Sequence, residues 1–109
     1  MKLATANTIP EAQFTDDILK WAKVYGWRRF HVRGNTKRLI QGDVGFPDLV
    51  LVRGSRIIFA ELKVGKNKAT DEQFAWIQAL FDVRDGQSNV GVYVWRPEQW
   101  SEILVVLSR

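Results

Sequence analysis

The sequence predicts an α/β fold in which one mixed β-sheet of four strands is flanked by helices on both sides. Segments with helical spacing of apolar residues alternate with short β-branched runs in the order αβββαβα. The chain has 109 residues, of which 46% are hydrophobic, and this is enough for one core but not for two. No internal repeat or linker interrupts the pattern, so we expect residues 1–109 to form a single domain.

The first half of the chain contains one predicted helix and three predicted strands. Apolar side chains recur at helical spacing over residues 10–25, and Gly26 ends that helix. Gly54 and Ser55 separate two β-branched runs, which is typical of a hairpin turn. Strands are predicted over residues 27–33, 48–52 and 57–64, with a loop over residues 34–46.

The second half of the chain contains two predicted helices with a strand between them. Thr70 and Gln73 have the spacing of a capping box, and apolar residues continue at helical spacing to about Arg84. Residues 89–95 are a β-branched and aromatic run that predicts the fourth strand. Pro97 is well placed in the first turn of the last helix.

The composition limits the kinds of metal site and nucleophile. The sequence contains no cysteine and only one histidine, His31. Disulfides, thiolate nucleophiles, cysteine zinc sites and histidine metal cages are therefore excluded, and any metal must bind to oxygen ligands. A lone histidine is more often a packed or surface residue than a functional one, so we leave His31 out of the predicted site.

The charge distribution indicates a polyanionic partner. The net charge is +4, and residues 18–38 contain seven Lys or Arg and no acid. A basic face kept for solubility would explain the same pattern. No apolar run approaches the roughly 20 residues that span a bilayer, and the N-terminal residues lack a secretory signal. We therefore expect no membrane role and a location inside the cell.

The predicted hairpin brings two carboxylates together. With a two-residue turn at Gly54 and Ser55, Asp48 faces Glu61 across the strand pair. Lys63 projects from the same face as Glu61, because side chains alternate along a strand. Both faces of the hairpin carry apolar residues, so we expect these charges at one end of a buried sheet, where facing carboxylates need a positive partner. A divalent cation or a simple salt bridge to Lys63 would supply it.

Two further polar residues are candidates for the same site. Glu11 extends the apolar stripe of the first helix by one step, so we expect its carboxylate to face inward as a third acidic group. A first-turn glutamate favoured by the helix dipole is the alternative. Gln73 begins the inward stripe of its helix, although a capping-box glutamine needs no other role.

These residues resemble a known family of nucleases. GFPDLVLV at residues 45–52, IIFAELK at residues 57–63, DEQFAW at residues 71–76 and YVWRP at residues 93–97, with Glu11 before them, resemble the VRR-Nuc domain. This family belongs to the PD-(D/E)XK nuclease superfamily. The likeness covers nearly the whole chain, and the combination of motifs is far more specific than E-x-K alone.

The resemblance implies a role for each matching residue. Asp48 and Glu61 would be metal ligands, joined by the backbone carbonyl of Leu62, and Lys63 would be the catalytic lysine. Gln73 would be an active-site residue, and Glu11 would complete the acidic set. The resemblance also implies a PD-(D/E)XK fold, dependence on Mg²⁺ or Mn²⁺, and endonuclease activity on DNA in repair, recombination or replication.

The expected substrate and partners follow from the same resemblance. Stand-alone members of this size, often from phages or prophages, are similar to Holliday junction resolvases that work as homodimers in the cytoplasm of a bacterial or phage-infected cell, so we expect branched DNA as substrate and a homodimer. The apolar last helix is either a contact surface between two copies or part of the core of one chain. A flap or nicking nuclease with the same site is an alternative, and a non-catalytic DNA-binding module is another. The basic residues available for phosphates are Lys20, Lys23, Arg28, Arg29, Arg33, Lys37, Arg38, Lys66 and Lys68.

Overall fold

The helices and strands follow each other in the order that the sequence predicts. The computed structural model describes residues 9–32 and 40–109, so Arg33, Lys37 and Arg38 lie outside the described residues. No helix within these ranges combines the length and apolar character needed to cross a membrane. The elements are α1 (Glu11–Val24), β1 (Arg28–His31), β2 (Leu49–Arg53), β3 (Arg56–Leu62), α2 (Asp71–Arg84), β4 (Val90–Trp95) and α3 (Trp100–Ser108), with a 3₁₀ turn over Pro97–Gln99 before α3.

The four strands form one mixed sheet in the order β1-β2-β3-β4. The pairs β1–β2 and β2–β3 are antiparallel, whereas β3 and β4 are parallel. Val52 pairs with Ile57, which confirms the hairpin register. The ladder is shorter than predicted, because β2 begins after Asp48 and β3 ends before Lys63. Both residues therefore lie immediately beyond the ends of strands, outside the regular main-chain pairing of β2 and β3.

One face of the sheet carries the main core. Alternate residues of β2 and β3 point toward α1 and α3, and Trp95 joins them from β4. These side chains exclude water almost completely and supply most of the apolar area buried in the fold. The fully buried members with the largest side chains are Phe14, Ile18, Leu49, Leu51, Ile58, Leu62, Ile103 and Leu107.

The opposite face of the sheet is covered over only part of its width. The ring of Phe46 lies edge-on against Phe59, with centroids 6.0 Å apart, and against Trp76 of α2, at 5.0 Å. On the side of β1 and β2 the cover is incomplete, and Phe30 is 63% exposed. The prediction that both faces of the sheet are covered is therefore correct only near β3 and β4. Of the helices in residues 9–32 and 40–109, only α2 lies on this face, and one helix is too narrow to shield four strands.

The apolar stripe predicted for α2 is only partly buried. Ile77 is the one residue of α2 that is buried, whereas Phe74 is 58% exposed and Phe81 is also exposed. Both phenylalanines thus share the predicted helical spacing without packing into the core. Helical spacing shows which residues share one side of a helix, but the width of the contact depends on how the helix lies on the sheet.

The last helix is mostly part of the core. Its 3₁₀ turn begins at Pro97, as predicted, and Ile103, Val106 and Leu107 are buried in the core of the chain. Val105 remains exposed. The surplus of apolar residues in α3 is thus largely explained by burial within one chain, and a contact between two copies receives no separate support from it.

Trp27 and Arg53 fasten the end of α3 to the sheet. The indole N–H of Trp27 donates to the Leu107 carbonyl at 2.9 Å, and Arg53 Nη1 donates to the same oxygen at 3.1 Å. Arg53 also lies over the Trp27 ring, with 4.4 Å between its guanidinium carbon and the ring centroid. A carbonyl near the C-terminus of a helix lacks a partner within the helix, so these donors supply one.

Replacing Trp27 with phenylalanine should lower the free energy of unfolding by about 1–2 kcal/mol, because a buried hydrogen bond is lost while the ring remains. Urea unfolding followed by circular dichroism measures this change. Trp21→Phe is the matched control, since its indole N–H has no hydrogen bond within the described residues. A loss equal in both variants would contradict a specific role for the bond to Leu107.

Candidate active site

Three polar side chains of the β2–β3 hairpin, joined by Gln73 of α2, meet at the end of the hairpin that lies away from its turn. Asp48 precedes β2, Glu61 is in β3, and Lys63 follows β3. Lys63 Nζ lies 3.2 Å from Glu61 Oε2, so the two residues share one face as alternation predicts. The Lys63 N–H donates to the Trp95 carbonyl at 3.0 Å, which fixes this segment to β4. The predicted juxtaposition of these side chains is therefore present.

Asp48 is held in place by hydrogen bonds on both sides of its chain segment. Its carboxylate oxygen Oδ2 accepts from the Leu62 N–H at 2.8 Å. Its main-chain carbonyl accepts from the Val32 N–H, also at 2.8 Å. The Leu62 N–H, which lies beyond the end of the main-chain pairing between β2 and β3, is thus hydrogen-bonded to the Asp48 side chain. This contact orients the Asp48 carboxylate toward the Glu61 end of β3.

Gln73 serves two structural purposes with one amide group. Its Oε1 accepts from the Thr70 N–H at 2.9 Å, and its own N–H donates to Thr70 Oγ1 at 3.2 Å, which confirms the capping box. Its Nε2 donates to Glu61 Oε2 at 2.8 Å. The alternative that Gln73 is only a cap is therefore incomplete, because the same side chain also positions Glu61.

Glu61 is a buried carboxyl group with one oxygen left without a hydrogen bond. The residue is 1% exposed, and Oε1 has no partner within the described residues, whereas Oε2 contacts both Lys63 and Gln73. Burial, which contributes most, and the neighbouring Asp48 carboxyl together raise the pKa of Glu61 to about 7, against the opposing effect of Lys63. A buried, unpaired carboxylate oxygen is costly unless a cation or a proton occupies it.

Glu11 does not face inward as predicted. It is the first residue of α1 and its side chain is exposed, as are Pro10, Ala12 and Gln13. The buried stripe begins at Phe14, so the core does not extend to this end of the helix. Among residues 9–32 and 40–109, no group of three or more acidic or histidine side chains is arranged to hold a metal. Glu11 therefore matches the alternative of a first-turn glutamate.

The predicted phosphate-binding residues within the described ranges are exposed. Arg28 and Arg29 lie side by side on β1, and Lys66 and Lys68 lie in the segment between β3 and α2. Lys20 and Lys23 are exposed on α1. These side chains are accessible to a polyanion, and the part of the prediction that concerns Arg33, Lys37 and Arg38 lies outside the described residues.

Gly45 is a residue of the site that sequence analysis did not identify. Its φ is +98°, and a Cβ at this position would lie 2.6 Å from the Glu72 carbonyl carbon and 2.8 Å from Gln73 N. The segment before Asp48 thus touches the first turn of α2 directly, and only glycine permits both the conformation and the approach. The glycine of GFPD was the available signal, but its meaning depends on a contact far along the chain.

Arg96 was missed as well. Its guanidinium donates to the Gly65 carbonyl at 3.1 Å and to the Asn67 carbonyl at 2.6 Å. It thereby ties the segment that follows Lys63 to the end of β4. The position of Lys66 is set by this clamp, since Lys66 lies between the two carbonyls in sequence.

Comparison with protein families, with curated proteins and with solved structures finds no match to this chain. The chemistry of the site must therefore be argued from its own geometry. A pair of adjacent carboxyls offers oxygen ligands to a hard cation. A carboxyl with a pKa of about 7 exchanges protons readily near neutral pH, as Glu61 does, while the Lys63 amine beside it offers positive charge to an anion.

Proposed function

We propose that this chain is a divalent-metal-dependent endonuclease that hydrolyses phosphodiester bonds in DNA. The observation that carries the proposal is the environment of Glu61, which is buried beside Asp48 with Oε1 unpartnered and Oε2 held by Lys63 and Gln73. A buried ion pair with a purely structural role offsets its desolvation cost only when its remaining polar atoms are also hydrogen-bonded. Here one oxygen is left unsatisfied, which is typical of a group that binds a ligand.

Asp48 and Glu61 fit a Mg²⁺ or Mn²⁺ ion, and the backbone carbonyl of Leu62 would be a further ligand. Mg²⁺ prefers oxygen ligands and commonly binds through only one or two carboxylates, keeping several waters. The exposed position of Glu11 is therefore no obstacle to a site at Asp48 and Glu61. When bound, such an ion lowers the pKa of a coordinated water and neutralises charge on the phosphate.

Lys63 and Gln73 would act on the substrate and on Glu61 respectively. The Lys63 side chain is 12% exposed, so its amine is shielded but can still contact a phosphate at the mouth of the site. Its positive charge would stabilise the additional negative charge of the transition state. Gln73 would hold the Glu61 carboxylate in one orientation, and the capping box in turn holds Gln73.

The topology supports the PD-(D/E)XK type of fold and membership of the VRR-Nuc family. An antiparallel hairpin bearing Asp48, Glu61 and Lys63 is followed by a helix that begins near Gln73, and then by a strand parallel to β3. The resemblance of the motifs and this arrangement of elements agree with each other. Together they support this fold and family more strongly than either does alone.

The substrate that we propose is branched DNA, cut by a homodimer acting in repair or recombination. The net charge of +4 and the exposed Arg28 and Arg29 favour binding to the phosphate backbone rather than sequence-specific contacts. Symmetric cutting of a four-way junction needs two sites related by a twofold axis. Flap or nicking activity would use the same residues, and the assay below distinguishes these substrates.

The test compares cleavage of a four-way junction, a flap, a nicked duplex and a linear duplex in Mg²⁺, Mn²⁺ or EDTA. We expect paired cuts in the junction that EDTA abolishes. We expect Lys63→Ala to reduce the rate by about 100-fold, because a single charge-stabilising group is removed. DNA affinity in EDTA, measured by fluorescence anisotropy, should change by less than about threefold, since many phosphate contacts remain.

Arg84→Ala is the matched control for this experiment. Arg84 is an exposed basic residue in the last turn of α2, and it contacts neither carboxylate of the site. We expect its cleavage rate at saturating DNA to equal that of the wild-type protein. Cutting of flaps or linear DNA alone would reject the junction as substrate, whereas binding without any metal-dependent cutting would reject the enzyme and favour a DNA-binding module.

A further inference from the structure

Part of the sheet face that carries the candidate site is open. Phe30 of β1 pairs with Val50 of β2, and both lie on the same face as Asp48 and Glu61. Phe46 and α2 cover this face near β3, but Phe30 is 63% exposed and Val52 is exposed as well. An aromatic side chain thus stands on an accessible sheet surface beside the carboxylates.

The distance between Phe30 and the site matches a short stretch of nucleic acid. Val32, two residues after Phe30, donates its N–H to the Asp48 carbonyl. Phe30 is therefore on the strand next to Asp48 and is displaced from it by two residues along the strand direction. This separation corresponds to about 8 Å across the sheet, from ~6.6 Å along a strand and ~4.8 Å between strands. At a stacked rise of ~3.4 Å, it spans about two nucleotides.

We propose that Phe30 stacks on an unpaired base of the same DNA strand that is cut at Asp48 and Glu61. This inference rests on the proposed function and adds a substrate feature to it, namely a single-stranded nucleotide close to the scissile phosphate. Exposed aromatic rings on a sheet are suitable platforms for bases, because every base has a face that stacks. In a fully paired duplex the bases are stacked on each other and are not available to Phe30.

The surroundings of Phe30 favour nucleic acid over a second copy of this chain. Arg28 lies two residues away on the same face and is exposed, whereas Arg29, between them, points to the opposite face. Within the four strands Glu61 is the only acidic residue, and Asp48 lies next to β2, so the proposed cation would neutralise the acidic groups of the sheet itself. A single strand of DNA lying along this face would therefore place its phosphates near positive charge and its bases near the ring of Phe30.

The test measures binding of a duplex with a single-stranded arm and of a matched, fully paired duplex, both in EDTA so that no cutting occurs. We expect Phe30→Ala to weaken binding of the armed duplex about tenfold and that of the paired duplex less than twofold. Phe30→Trp, which keeps an aromatic ring, should bind the armed duplex about as tightly as the wild-type protein. A 2-aminopurine placed at successive positions of the arm should be quenched most strongly about two nucleotides from the cut, and only when an aromatic side chain occupies position 30.

Phe81→Ala is the control, since Phe81 is an exposed phenylalanine near the far end of α2 from Gln73. Equal affinity of Phe30→Ala and wild-type protein for the armed duplex would overturn the stacking role and leave the nuclease proposal intact. A change from dimer to monomer in Phe30→Ala, measured by sedimentation, would overturn it in favour of a contact between copies. Failure of the wild-type protein to bind either DNA would reject the proposed function itself.

Discussion

Replacing Glu61 with glutamine is expected to abolish cleavage and, at pH 8, to stabilise the fold. The carboxyl group is buried and has one oxygen without a hydrogen bond, and its pKa is raised to about 7. Ionisation of Glu61 above that pH therefore lowers the free energy of unfolding. Glutamine keeps an oxygen to accept from Gln73 and carries no charge, so it removes this cost together with the metal ligand.

The pH dependence follows from the direction of the pKa shift. Below pH 4.5, the ordinary pKa of a glutamate, Glu61 is protonated in both the folded and the unfolded state. Between that pH and about 7 the unfolded chain ionises first, so the stability of the wild-type protein falls as the pH rises. The full loss is on the order of 3–4 kcal/mol, at roughly 1.4 kcal/mol for each unit of pKa shift.

Thermal unfolding between pH 4 and pH 8, without metal, measures this effect. We expect Glu61→Gln to unfold at about the same temperature as the wild-type protein at pH 4 and roughly 10 °C higher at pH 8. Mg²⁺ should raise the midpoint of the wild-type protein at pH 8 but not that of the variant. Glu72→Gln is the control, since Glu72 is exposed on the adjacent helix. A parallel pH profile for Glu61→Gln and wild type would show that the buried carboxyl carries no such cost.

Gly45→Ala is expected to impair both stability and cleavage. The new methyl group would lie 2.6 Å from the Glu72 carbonyl carbon, and the φ of +98° is unfavourable for any residue with a Cβ. Because the neighbouring atoms are main chain, the first turn of α2 must shift, and Gln73 shifts with it. We expect a loss of about 3 kcal/mol in the free energy of unfolding, from overpacking and backbone strain together.

The same displacement should reduce cleavage by about 100-fold at saturating DNA, as misplacement of site residues by about 1 Å can do. Gly42→Ala separates the effect of backbone strain from the effect of contact with α2. Gly42 also has a positive φ, +116°, but a Cβ there would meet no atom within 4 Å. We expect it to cost about 1 kcal/mol and to leave the cleavage rate unchanged. Equal effects of the two substitutions would show that strain in the backbone, and not contact with α2, determines the result.

The hairpin was predictable because its signals are local. A glycine–serine pair between two β-branched runs fixes the turn, and the turn fixes the register from Arg53 and Arg56 outward to Leu49 and Ala60. The capping box at Thr70 is equally local, since its two members lie within one helical turn. The contact between Lys63 and Glu61 follows from alternation along one strand, as far as that strand continues.

The features that sequence analysis missed depend on contacts between distant segments. The approach of Gly45 to α2 and the clamp that Arg96 forms with Gly65 require knowledge of which elements touch. Glu11 was predicted to face inward because helical periodicity gives a direction but not the extent of the core along the helix. For the same reason periodicity could not show that Phe74 would remain exposed.

The position of β1 at the border of the sheet has a consequence for aggregation. β1 pairs only with β2 within the described part of the chain, so one row of its main-chain N–H and C=O groups has no neighbouring strand there. Such a border invites a strand from another molecule, and charged side chains are a common deterrent. Arg28 and Arg29 occupy half of this four-residue strand. The arginines proposed to contact phosphates would therefore also hinder aggregation by strand addition at this border, and DNA bound along them would shield the same border.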